Sequence, residues 1–129
     1  MLPAPNRLRE RSDFATAIRA PGATRAGSRI LVVHANVTDS RAGLPPRVGF
    51  VVSKAVGNAV VRNRTKRRLR ALMTRHVDAV PSGALLVVRA RPAAARAQYD
   101  ELATEASALL TKVTRRRGGD RPRAAGDGR

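Results

Sequence analysis

The chain has 129 residues, of which 26 are Lys or Arg and 9 are Asp or Glu, giving a net charge of +17. A single domain with a modest core is expected from that length and an apolar fraction of 43%, and so lopsided a charge favours a polyanionic partner over a merely solubilising surface. The absence of cysteine excludes a disulfide scaffold and a thiolate metal site, and no apolar run approaches the ~18 residues of a membrane span.

Residues 1–11 read as an irregular basic arm. Its opening, Met1-Leu2-Pro3-Ala4-Pro5-Asn6-Arg7, lacks the apolar block of a signal peptide. A cytoplasmic protein with no membrane partner is therefore expected. Ser12 or Asp13 is positioned to cap a short helix to about Arg19, with Phe14, Ala15 and Ile18 on one face. Pro21-Gly22 stops it. Arg29 to Val37 is β-branched and predicts a strand, and Arg47 to Ser53 predicts a second. The short loop between them, with Gly43 and Pro45-Pro46, points to an antiparallel hairpin.

Lys54 to Asn58 is a connector, and Asn58 is placed to cap a helix from about Ala59 to Val77. Pro81-Ser82-Gly83 closes that unit. Ala84 to Ala90 is almost wholly apolar, so it predicts a central strand. A last helix is expected from about Ala94 to Thr114, where Leu102, Ala106, Leu109, Leu110 and Val113 recur at helical spacing. The domain is thus assigned to residues 1–114. Residues 115–129 are Arg, Gly, Asp and Pro with little to bury, and predict a disordered basic tail.

The charge is concentrated. No acid stands between Asp39 and Asp78, while that window holds ten basic residues. Arginine outnumbers lysine heavily, and only Lys54, Lys66 and Lys112 are Lys. A GC-rich genome accounts for much of that ratio but not for the charge excess. Placed on a wheel at ~100° per residue, Thr65, Leu69, Leu72, Met73 and His76 share one sector, which should face the sheet. Arg62, Lys66 and Arg70 border it, and Asn63 and Arg67 extend the same flank. Arg64 and Arg68 fall on the far side. Like charges at i, i+4 cost a helix a few tenths of a kcal/mol per pair, and a phosphate chain laid along the flank would offset that. A solvated face is the bland alternative, but such faces mix both signs.

Asn63 is a poor helix former. It suits a hydrogen bond to a base, a ribose hydroxyl or a hydrated metal ion, or it is simply tolerated near the helix start. Aromatics are confined to Phe14, Phe50 and Tyr99. RNA sites stack bases on such rings. Phe14 is the better candidate for stacking, and Phe50, alternating with Val48 and Val52, reads as core. His34 reads as structural, and His76 as a favourable charge at a helix end. No pair of carboxylates, nucleophile–base pair or phosphate-cradling loop is present, so no catalytic residue and no metal ligand is assigned.

The run Arg47-Val48-Gly49-Phe50-Val51-Val52-Ser53-Lys54, then Gly57-Asn58-Ala59-Val60, then Arg62-Asn63-Arg64-Thr65-Lys66-Arg67 with Arg70, resembles the signature of the bacterial ribonuclease P protein family. Asp13-Phe14 and Ala90-Arg91-Pro92 fit the same order, and the resemblance spans about residues 6–114. It implies an α/β (α+β two-layer) fold: a small mixed sheet with three helices packed on it and a left-handed βαβ crossover, against the usual right-handed rule. It also implies the activity. The catalytic RNA subunit, using Mg²⁺ held by RNA and substrate, removes the 5′ leader of precursor tRNA, and the protein assists this endonuclease by binding both RNAs. No DNA partner is implied. On this chain the resemblance assigns RNA contact to Arg62, Asn63, Arg64, Lys66, Arg67, Arg70 and Lys54, and makes Phe14 the aromatic of a leader cleft. Two departures stand out. Ile18 replaces a second aromatic one turn after Phe14, and Val33-His34 stands where another aromatic can sit. A ribosomal or general RNA-chaperone protein would share the charge, and a metal-dependent nuclease acting alone is a further alternative.

Overall fold

The computed structural model describes residues 4–37 and 41–119, with side chains to Thr114. Its elements are α1 (Arg11–Arg19), β1 (Thr24–Gly27), β2 (Leu31–Val37), β3 (Arg47–Val51), α2 (Ala59–His76), β4 (Ala84–Ala90) and α3 (Tyr99–Gly119), with short 3-10 turns between them. The strands form one mixed sheet in the order β1-β2-β4-β3. Three helices pack on it, divided between its two faces.

β4 is central, as its almost wholly apolar run predicts. It pairs antiparallel with β2, from Leu31↔Ala90 to Val37↔Ala84, and parallel with β3, from Arg47↔Leu85 to Val51↔Arg89. The expected β2–β3 hairpin is therefore corrected: β4 inserts between the two strands. A strand that buries both faces gains more between two partners than at an edge, so β4 displaces the sequence neighbour. The hairpin that does form is β1–β2, paired from Thr24↔Ala35 to Gly27↔Val32. Thr24–Gly27 buries only Ala26 and carries too little pattern to be seen in the sequence.

The pleat sorts the core. Leu31, Val33 and Ala35 of β2 and Leu86 and Val88 of β4 face α3, where Leu102, Ala106, Leu109, Leu110 and Val113 complete a large apolar cluster with Leu69, Leu72 and Met73 of α2. The other face packs Leu85 and Val87 against Leu8 and Ala17, with Phe14, Ile18 and Val51 at its margin. Here α1 is the cover. Asn36 is buried on this side and donates to the carbonyls of Thr16 and Pro21 at 2.9 and 3.3 Å, tying the end of α1 to β2.

Residues 4–8 are not an irregular arm. Asn6 donates to the Pro46 carbonyl at 2.8 Å and Leu8 N–H to the Val48 carbonyl at 3.0 Å, so the segment runs along the outer edge of β3. α1 starts at Arg11 without a side-chain cap. Asp13, one of the two expected caps, instead accepts from Arg47 at 3.0 Å and fixes α1 to the start of β3. The last helix begins at Tyr99, five residues later than expected, because Pro92–Arg96 forms a 3-10 turn. It continues to Gly119, so the first five residues of the expected disordered tail are helical; residues 120–129 lie outside the described residues. Among the described residues, no helix is long and apolar enough to cross a membrane.

Candidate RNA-binding site

α2 is launched by Gly57 and Asn58. The Asn58 side chain accepts from Val61 N–H at 3.0 Å, as its position predicts. Gly57 has φ 157°, and a Cβ there would sit 2.9 Å from Val61 Cβ, so the entry turn is packed against the first helical turn with no room for a side chain. Further along, Thr65, Leu69, Leu72 and Met73 are buried, in the phase the wheel gives. The Thr65 hydroxyl, facing the core, donates to the Val61 carbonyl at 2.9 Å. The buried side meets α3 and the Pro92–Arg96 turn as well as the sheet. His76, expected in the same sector, is only half-buried.

The flank beside the core is the basic one. Lys66 and Arg62 are half-buried, while Asn63, Arg67 and Arg70 are exposed. Lys66 and Arg70 overhang β3, and a cleft of about 350 Å³ opens below them. Val48, Gly49 and Phe50 of β3 form its floor. Phe14 of α1 stands on the opposite wall, with the N-terminal segment Arg7–Arg9 beside it. Cations therefore line two sides of a channel that presents an aromatic ring.

Gly49 makes this geometry possible. A Cβ at that position would lie 2.6 Å from Phe14 Cζ, so the ring rests directly on the strand backbone. A glycine inside a strand marks such a close approach. That signal stands in the sequence, but it does not name the side chain that approaches; the structure shows it to be Phe14. Phe50 departs from its reading as core: it packs partly against the large cluster but is half-buried and lines the cleft. Arg7 and Arg9 were missed as well, because the pairing of the arm with β3 leaves no side-chain pattern.

The other assigned residues are distributed differently. Arg62, Asn63, Arg64 and Arg67 do not line the cleft. Arg68, on the far side of α2, donates to the Ala97 carbonyl at 3.0 Å and ties the helix to the segment after β4. Lys54 is exposed in the 3-10 turn beyond the end of β3, also away from the cleft. Ile18, where a second aromatic was anticipated, packs into the smaller core. Val33 lies in the large core and His34 is buried on the opposite face. Burial, with the Arg25 and Arg89 guanidinium groups nearby, holds the His34 pKa below its ordinary value of 6.5.

Comparison with known proteins settles the family. The ribonuclease P family model matches residues 2–114. The chain belongs to the ribonuclease P protein family. A relative from Streptomyces avermitilis, described as a ribonuclease P protein component, is 52% identical over 119 residues, covering 88% of this chain and 95% of the relative. One of the same description from Beutenbergia cavernae is 54% identical over 113 residues, covering 88% and 92%. The solved RNase P protein from Thermotoga maritima, in complex with 1-(4-fluorophenyl)-2-thiourea, superposes with a TM-score of 0.69 at 27% identity, covering 82% of this chain and 98% of that one. The Staphylococcus aureus RNase P protein shares the fold, with a TM-score of 0.69 at 24% identity, covering 83% and 94%. Family membership makes this chain the protein component of a ribonucleoprotein nuclease of tRNA processing, partnered with an RNA subunit.

Proposed function

We propose that the chain binds the catalytic RNA of ribonuclease P through the exposed flank of α2 and holds the single-stranded 5′ leader of precursor tRNA in the cleft beneath it. The observation that carries this reading is the convergence of Lys66 and Arg70 with Phe14 and Phe50 on one open channel at the sheet edge. Single strands are bound by a cationic groove that tracks phosphates and by rings on which bases stack. This channel offers both. Arg62, Asn63, Arg64, Arg67 and Lys54, outside the channel, are assigned to the catalytic RNA.

The hydrolysis itself is assigned to that RNA. Among the described residues, no three His, Cys, Asp or Glu side chains gather where a metal ion could be held. The cleft wall is cationic and would repel Mg²⁺, so the ions enter with RNA phosphates as their ligands. The protein's contribution is charge neutralisation and positioning. By screening phosphates of substrate and catalyst it lets them approach at lower Mg²⁺ concentration. A cytoplasmic location accompanies this role.

The test is precursor-tRNA cleavage by a cognate RNA subunit, titrated with Mg²⁺ with and without the protein. The protein should lower the Mg²⁺ requirement, and Phe14→Ala should weaken that effect only for substrates carrying a leader of several nucleotides. An unchanged Mg²⁺ requirement would favour a general RNA-chaperone role. Cleavage by the protein free of RNA would place the chemistry on this chain.

A further inference from the structure

A second concave surface with cations on its rim lies beyond the C-terminal end of β3. Both parallel strands leave the sheet there: β3 runs into the turn Lys54–Val56 and β4 into the turn Pro92–Arg96. β2 enters at the same end, since Leu31 pairs with Ala90, and Arg29 stands just before it. These segments enclose a shallow depression of about 440 Å³. Its floor is Ala55, Val56, Pro92, Ala93 and Ala95, and its rim carries Arg29 and Arg96. Arg68 reaches this side of α2 through the Ala97 carbonyl, and exposed Lys54 adjoins Ala55.

The chemistry differs from that of the cleft. No aromatic lines the depression, so it offers no stacking surface for an unpaired base. Its floor of small side chains is low and rigid, and its cations come from separate segments fixed by the sheet. Such a surface fits a phosphate backbone already held in shape, as in an A-form duplex, which proteins recognise by shape and backbone contacts. Arg29 is partly neutralised by Glu101, whose carboxylate accepts from it at 2.6 Å, but its side chain is 71% exposed. An exposed pair of this kind gives little resistance to a competing phosphate.

We infer that this depression seats the phosphate backbone of a double-stranded segment of the catalytic RNA, at the same time as the cleft holds a single strand. The inference rests on the reading of α2 as an RNA-binding helix and extends it to a second site. Two RNA elements of different form are then gripped by separate surfaces of one domain, the cleft along Val48, Gly49 and Phe50 and the depression beyond Val51.

The experiment uses the full chain, the catalytic RNA and a single-stranded leader oligonucleotide, with affinities measured across a salt series. The double variant Arg29→Ala/Arg96→Ala removes two exposed cations that do not line the cleft. It should bind the catalytic RNA about tenfold more weakly, with a salt slope shallower by roughly 1.8 for two lost duplex phosphate contacts, and bind the oligonucleotide as the parent does. Glu101→Gln should tighten binding to the catalytic RNA severalfold by releasing Arg29. Unchanged affinity and slope for the double variant, an equal loss on both RNAs, or no tightening by Glu101→Gln would overturn the second site. Failure of the parent protein to bind either RNA would instead overturn the reading of α2.

Discussion

The two faces of the sheet are closed by different means. Under α3 the apolar cluster is continuous, running from Leu31 and Val33 through Leu86 and Val88 to Leu102, Leu109 and Val113. Under α1 the fully buried set is only Leu8, Ala17, Leu85 and Val87. The thick side supplies most of the apolar burial that stabilises a fold. The thin side stops short of the β3 edge, and the cleft begins there. On the proposed function, stability and RNA contact fall to different side chains, often on the same helix. α2 shows the division within a single turn: Leu69 is buried at 1% exposure, while Arg70 beside it is exposed and overhangs the cleft.

The strongest way to break that division is at Leu69. Leu69→Ala leaves a cavity in the thick core and should cost about 2–5 kcal/mol of stability, read from the urea midpoint. Protein that remains folded should bind RNA as before. Loss of RNA affinity with stability intact would put Leu69 on the wrong side of α2 and dissolve the comparison.

Gly49 tests the thin side. Gly49→Ala sets a methyl 2.6 Å from Phe14 Cζ, 2.8 Å from Phe14 Cε1 and 3.2 Å from Leu8 Cβ. Strand backbone cannot yield easily, so the ring must swing away. The overpacking should cost about 1–3 kcal/mol, and affinity for a single-stranded leader should fall with it. Phe14→Ala in the same background relieves the clash. If the double variant recovers stability but not leader affinity, the ring is both the steric partner and the stacking surface. Leader affinity unaffected by Gly49→Ala would remove Phe14 from the binding site.

What could be read beforehand follows the same division. The α2 phase, the Asn58 cap and the span of β4 were legible because each depends on side-chain pattern within one element. The strand order was not. Proximity in sequence argues for pairing β2 with β3, and only the competition for the most apolar strand decides otherwise. β1 escaped because four residues with one buried side chain carry no period. The cleft was half legible. Phe14, Lys66 and Arg70 were named, but the backbone pairing of residues 7–8 with β3, which brings Arg7 and Arg9 to the wall, is written in N–H and C=O groups that every sequence shares.

A smaller effect separates the two classes of cation on α2. Arg67 is exposed and outside the cleft, whereas Arg70 lines it. Arg67→Ala should leave thermal stability unchanged and weaken binding to the catalytic RNA, with a salt slope shallower by roughly 0.7–0.9 for one lost phosphate contact. Arg70→Ala should show its larger loss on the leader oligonucleotide. Equal losses for both variants on both RNAs would mean that α2 acts as one undivided cationic surface.

The smallest effect belongs to His34, on the thin face but remote from the channel. It is 5% exposed, and its Nε2 has no hydrogen-bond partner among the described residues. Burial chiefly, then Arg25 and Arg89, disfavours its imidazolium, so its folded pKa lies below the ordinary 6.5. Above that value His34 is neutral in both states and contributes no pH dependence. As pH falls through 6.5, the unfolded chain takes up a proton that the folded chain refuses. The unfolded state then binds more protons, and unfolding free energy declines until the depressed folded pKa is reached. The urea midpoint of the parent should therefore drop between pH 7.5 and 5.5. In His34→Phe this part of the drop should vanish, leaving only the contribution of other titrating groups, which the two proteins share. Parallel declines in both would show that the fold accommodates the His34 charge, and that the thin face is better hydrated than its packing implies.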